Sequence, residues 1–266
     1  MARERFKDHA VWITGASSGL GEAMALELAA QGADVAVSAR RVDRLERVVK
    51  AIEERGRRGL AVACDVTDDA AIAAAVESVR GAFGKIDVVI ANAGFAVSGA
   101  LETLTREDWE RQFETNVFGA VSTVMHALPA LKETGGRIGV VASVASQLAS
   151  PRIGVYTASK YALRAFGQTL AMELHGTGVS VTLLHPGYVA TEITRVDKDG
   201  NFHEDWDDRA NRFTWKAEDA ARVMLSALWR RKLEYTFTAV GRLGGFLGRH
   251  APGLLHFALT RGKSPT

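Results

Sequence analysis

The chain has 266 residues, 47% of them apolar, and carries 33 basic against 31 acidic residues for a net charge of +2. That balance excludes the clustered basic footprint of a nucleic-acid binder, and the length suits a single domain, 1–266, around one core. Cys64 is the only cysteine, which excludes an intramolecular disulfide and favours a reducing, cytoplasmic compartment.

The N-terminal stretch "MARERFKDHAVWITG" lacks the apolar core of ~7–15 residues that a secretory leader carries, and no uncharged apolar run reaches the ~18–20 residues of a membrane span. Short β-rich runs follow at 10–14, 34–38, 60–64, 86–91, 137–143 and 179–185. They are apolar without strict alternation, as strands covered on both faces should be. Between them lie stretches of helical length at 19–31, 43–55, 69–83, 107–133 and 154–175. Strand and helix in strict turn imply right-handed crossovers and a doubly wound parallel sheet with helices on both faces, an α/β fold. The pattern changes at 194–215, which is polar, acidic and studded with aromatics; a helix at 217–231, a last strand at 234–238 and a Gly- and Leu-rich tail complete the chain.

"TGASSGLG" (14–21) joins the first strand to the first helix, with glycines at 15, 19 and 21. Glycine permits a tight turn and lets a ligand approach bare backbone, and a helix start offers N–H groups and a positive dipole end to a pyrophosphate. The spacing is not the G-x-G-x-x-G fingerprint, but its place in the first strand–helix turn is that of a dinucleotide site. An acid about 20 residues further on would accept hydrogen bonds from the adenosine ribose. Here the second strand runs into Arg40 and Arg41 instead. A guanidinium grips a 2′-phosphate that a carboxylate would repel, so the expectation is NADP(H) over NAD(H), with Arg40 as the main contact.

With "CDVTD" (64–68), "ANAG" (91–94), Asn116 in "ETNVFG", Ser143 in "VVASVAS", Tyr156 and Lys160 in "YTASK", and "PGYVAT" (186–191), the chain resembles the short-chain dehydrogenase/reductase family in its smaller, single-domain branch. The motifs stand in the family's order and spacing over roughly residues 8–195; Ala91, where the family more often has Asn, is a mild departure. The resemblance implies a Rossmann-like fold and the following roles. Gly15, Ser17, Ser18, Gly19, Leu20 and Gly21 would cradle the pyrophosphate. Asp65 would meet the adenine amino group with Val66 beside the ring, although Asp65 also reads as a helix cap or turn residue. Asn92, Ala93 and Gly94 would line the path between the nucleotides, and Pro186, Gly187, Val189 and Thr191 would hold the nicotinamide.

Carbonyl reduction by hydride leaves an alkoxide that needs a proton. A free tyrosine, with pKa near 10, must be tuned to exchange it, and a nearby ammonium favours the phenolate. Tyr156 and Lys160, four apart on a helix, share a face. By the resemblance Tyr156 is the general acid/base, Lys160 its activator and a ribose contact, Ser143 the donor to the substrate oxygen, and Asn116 the holder of a water in a proton relay. Two local alternatives stand beside these roles: Ser146 competes with Ser143, and a mid-helix Asn116 could simply bond neighbouring backbone.

The segment 194–215 falls where the family has its substrate cover, with Phe202, Trp206, Phe213 and Trp215 as lid or core contacts. Its acids and aromatics suggest an apolar ketone, aldehyde, steroid or lipid-like carbonyl, oxidised or reduced as a small-molecule substrate. His126, His175 and His185 lack metal-ligand spacing, so no metal is expected. The family's usual dimer or tetramer would use the two long helices at 107–133 and 154–175. For the extension 240–266 the ranked readings are a subunit contact, a pocket wall and a membrane-surface element. The competing functional class is a non-catalytic NADP(H)-sensing or scaffold protein on the same fold.

Overall fold

A computed structural model describes residues 4–191 and 214–261. Strands β1 (Ala10–Thr14), β2 (Asp34–Ala39), β3 (Gly59–Ala63), β4 (Val88–Ala91), β5 (Arg137–Val141), β6 (Ser180–Leu184) and a two-residue β7 (Glu234–Tyr235) pair in the order β3-β2-β1-β4-β5-β6-β7. Every pairing is parallel. The order reverses between β1 and β4, the switch point at whose strand tips doubly wound proteins bind their ligands.

Alternation along β1 shows how the layers form. Val11 and Ile13 join Met24 and Leu28 of α1 (Gly19–Ala30), Leu45 of α2 (Val42–Glu53) and Met224 of α7 (Ala217–Trp229) in one core. Trp12 points the other way and joins Ile72 of α3 (Asp69–Phe83), Val124 of α5 (Gly119–Thr134) and Leu163 of α6 (Gly154–Glu173). Both faces are buried, which is why these strands read as continuous apolar runs.

Three elements differ from their sequence reading. The long helix expected at 107–133 is α4 (Arg106–Phe113), a π-helical turn (Glu114–Phe118) and α5. Local propensity gives no warning of that turn, because its cause is tertiary: Asn116 is drawn onto the backbone of Phe95. The last strand stops at Tyr235, since Thr238 turns to cap α8 (Ala239–His250), its hydroxyl accepting the Gly241 N–H at 3.1 Å. The tail beyond Gly241, read as Gly- and Leu-rich without a defined element, forms α8 and then α9 (Pro252–Thr260).

Among the described residues no helix is long and apolar enough to cross a membrane. The expected lid contacts Phe202, Trp206 and Phe213 lie outside the described residues. Trp215 is placed as a core contact: its ring packs edge-on against Phe237, centroids 4.9 Å apart, and its backbone bridges Val189.

Candidate active site

A cavity of about 740 Å³ runs along the carboxyl ends of the strands. The turn after β1 contributes Gly15, Ser17, Ser18, Gly19, Leu20 and Gly21; the ends of β2 and β3 contribute Arg40, Asp65 and Val66. Asn92, Ala93 and Gly94 follow β4, Ser143 follows β5, Tyr156 and Lys160 project from α6, and Pro186, Gly187, Val189 and Thr191 follow β6. Of the residues predicted to act here, Asn116 alone does not line the cavity. Arg41, named beside Arg40 in the sequence, also lines it, as do Phe95, Arg111 and Thr115, which sequence reasoning did not single out.

The first turn is built for close approach. Gly15 has φ +66°, and a Cβ there would stand 2.6 Å from the Ala93 Cα. A Cβ on Gly21 would stand 2.6 Å from the Asn92 Nδ2, whose amide donates to the Thr14 and Gly15 carbonyls at 3.0 Å each. Any larger side chain would break the packing of loop against β4. At the N-terminus of α1, Ser18 makes no side-chain cap, so the first-turn N–H groups are left to an anion. Arg41 donates to the Ser17 and Ser18 hydroxyls at 3.1 Å each, which places a second guanidinium over the loop. Glycine cradle, helix end and two cations together fit a phosphorylated dinucleotide. Asp65 is a turn residue, its carboxylate accepting the Thr67 N–H and hydroxyl at 3.0 and 2.9 Å; the cap of α3 is Asp68.

In the same cavity Lys160 is 4% exposed. Its Nζ donates to the Val141 carbonyl at 3.0 Å and lies 5.6 Å from the centre of the Tyr156 ring. Burial lowers its pKa to about 8, because desolvation disfavours the ammonium. Tyr156 departs from expectation. Burial raises its phenol above the ordinary value, and the hydrogen bond with the Ser143 hydroxyl offsets this only in part. The ammonium sits against the ring and a carbonyl, so the expected depression by Lys160 does not show.

The choice between the two serines follows from their neighbours. Ser146 is fully buried; its hydroxyl donates to the Ser143 carbonyl at 2.6 Å and stands 2.8 Å from His185 Nδ1. Ser143, extended just past β5, is left facing the cavity. His185 is itself fully buried, its pKa lowered to about 4 mainly by desolvation, so the ring is neutral. Asn116 is also fully buried and locked: Oδ1 accepts the Phe95 N–H at 3.0 Å, and Nδ2 donates to the Phe95 carbonyl at 3.0 Å and the Ser159 hydroxyl at 3.3 Å. Its amide thus fixes the β4 exit against α6. Among the described residues no group of three His, Cys, Asp or Glu side chains is placed to hold a metal ion.

Parallel strand order, glycine cradle and a row of strand-tip residues define a dinucleotide-binding α/β protein. The short chain dehydrogenase family model matches residues 9–201, and the chain belongs to the short-chain dehydrogenase/reductase family of oxidoreductases. An uncharacterized oxidoreductase of Staphylococcus saprophyticus is 35% identical over 206 residues, covering 76% of this chain and 82% of the relative. A short chain dehydrogenase from Burkholderia cenocepacia, solved in complex with NADP, superposes with TM-score 0.80 at 31% identity over 90% of this chain and 99% of that one. One from Burkholderia phymatum, solved with NAD, reaches TM-score 0.82 at 26% identity over 98% and 99%. Longer relatives are matched in part: the aligned segment spans 53% of an Arabidopsis thaliana 11-beta-hydroxysteroid dehydrogenase and 17% of an Emericella nidulans glycine betaine reductase.

Proposed function

We propose that the chain interconverts a carbonyl and an alcohol by hydride transfer with NADP(H), Tyr156 serving as the general acid/base. The observation that carries this reading is that Tyr156, Ser143 and Lys160 line the same cavity as the glycine cradle. When bound, the nicotinamide supplies or accepts the hydride. The remaining work belongs to the chain. Ser143 donates a hydrogen bond to the substrate oxygen as charge develops there. In reduction Tyr156 gives its Oη proton to that oxygen, and in oxidation it takes the proton back. Lys160, cationic below about pH 8 and 5.6 Å from the ring centre, is placed to offset part of the phenolate charge, although burial keeps the phenol above its ordinary pKa. Pro186, Gly187, Val189 and Thr191 would bound the nicotinamide, while Asn116 holds the loop at Gly94 and Phe95 in register with α6.

Arg40 and Arg41 stand where an NAD enzyme would carry its ribose-binding acid, which favours NADP(H), as does the NADP complex of the Burkholderia cenocepacia neighbour. The substrate class we favour is an apolar ketone or aldehyde. Exposed Phe118, Met125, Tyr161 and Met172 on the α5–α6 side offer a face for a homodimer or homotetramer.

The test is cofactor oxidation followed by absorbance against a panel of aldehydes and ketones, with NADPH and NADH compared. Arg40→Asp, alone and with Arg41→Ala, should lower the NADPH preference about tenfold or more per lost charged hydrogen-bond set. An unchanged preference would sink the cofactor assignment. Tight NADPH binding with no turnover anywhere in the panel would replace catalysis by the sensor reading.

A further inference from the structure

Helices α8 and α9 present the largest discrepancy between sequence and surroundings. α9 reads "PGLLHFALT", yet none of its residues is buried. On α8 the buried side is formed by Gly241 and Gly245, which settle against the segment from Val144 to Leu148. The side chains with real apolar area point outward: Leu243, Phe246, Leu254 and Phe257 are each at least half exposed, at 61, 59, 58 and 50%. A helix normally turns its apolar stripe to the core, and an exposed apolar patch of this kind marks an interface.

The charge around the patch indicates what covers it. From residue 236 to the end of the sequence there is no Asp or Glu, while Arg242, Arg249, Arg261 and Lys263 are all basic. Arg249 is engaged with Glu234 at 3.0 Å and Arg261 lies over the Phe257 ring, 4.3 Å from its centre, while both Arg242 and Arg261 are exposed beside the outward leucines and phenylalanines. A two-fold contact between copies would set the exposed arginines of this acid-free segment against one another, which like-charge repulsion opposes. An anionic bilayer surface meets both features at once, taking the apolar side chains into its acyl boundary and the guanidiniums at its headgroups.

We propose that α8 and α9 form a docking surface for anionic phospholipid bilayers, binding in the plane of the interface without crossing it. Thr238, at the start of α8, abuts Gly187 of the cavity rim, so docking would bring the bilayer beside the active-site entrance. This proposal stands apart from the catalytic reading, since lipid binding is measured without turnover.

The test is flotation of the full chain with phosphatidylcholine vesicles, with and without phosphatidylglycerol, at low and high salt. Light scattering of the same samples without lipid gives the mass. The chain should float with phosphatidylglycerol, weakly or not at all with phosphatidylcholine alone, and less at high salt. Phe246→Glu with Phe257→Glu should abolish flotation. Arg242→Gln and Arg261→Gln should each weaken it about fivefold, near the value of one basic side chain at an anionic surface. These side chains are solvent-exposed, so retained NADPH binding will show that the variants are folded. No flotation with phosphatidylglycerol vesicles overturns the proposal. So does a paired-glutamate variant that falls to lower mass while floating like the parent, which would make the face a subunit interface.

Discussion

Tyr156→Phe should lower turnover by ~10²–10⁴-fold, the usual contribution of a positioned acid/base, while NADPH still binds. The substitution removes one hydroxyl, while the glycine cradle is formed by the turn after β1 and the start of α1, so cofactor affinity has no reason to follow turnover. The pH dependence sharpens the expectation. Burial holds the phenol above its ordinary pKa, so it is protonated and ready to donate at neutral pH. Reduction should therefore persist through neutrality, and oxidation, which needs the phenolate, should climb as pH rises toward the phenol's pKa. Steady-state rates in both directions across pH, for parent and variant, check this. A variant within tenfold of the parent, or oxidation that falls on the alkaline side while the cofactor stays bound, would remove Tyr156 from the mechanism.

How far the molecule could be read in advance depended on whether a feature was local. The strands and the turn at 14–21 were legible because apolar runs and glycines report their own burial and their own φ. The strand-tip residues followed from them, since each sits just beyond a legible strand. Features set by contacts between distant residues were not legible. The π turn at Asn116 depends on Phe95, twenty-one residues away, and the separation of Ser143 from Ser146 depends on His185 beneath them. Arg41 matters through Ser17 and Ser18, which adjacency to Arg40 does not reveal. The direction of the Tyr156 shift was misread for the same reason: a spacing of four places an amine near a phenol but says nothing of how dry both are. α8 was obscured by its own composition, because glycines that lower helix propensity are what let it lie against Val144–Leu148.

Lys160→Met should stabilise the cofactor-free protein at neutral pH while disabling it. The folded chain holds Lys160 at a pKa of about 8 against an ordinary 10.5, because its ammonium is buried, with the Val141 carbonyl accepting from it. Between those two values the unfolded chain binds the proton and the folded chain does not, so parental stability rises with pH across that window. Below it the buried charge is a standing penalty, on the order of 3 kcal/mol for a shift of this size. Methionine fills similar space without charge. It forfeits the hydrogen bond to Val141, worth about 1 kcal/mol, and leaves a net gain of roughly 2 kcal/mol near pH 7. That corresponds to a rise in Tm of several degrees for a chain of this length, at ~2–4 °C per kcal/mol. The gain should shrink to nothing by about pH 10, as the parent sheds its buried proton. Thermal unfolding of both proteins from neutral to alkaline pH measures this. A variant less stable than the parent at pH 7, or an advantage that does not fade with pH, would show that the amine is not held at a cost. The active site would then store no free energy in Lys160, and its presence would need a structural explanation. If the gain appears with loss of turnover, the charge is kept for the reaction at the fold's expense.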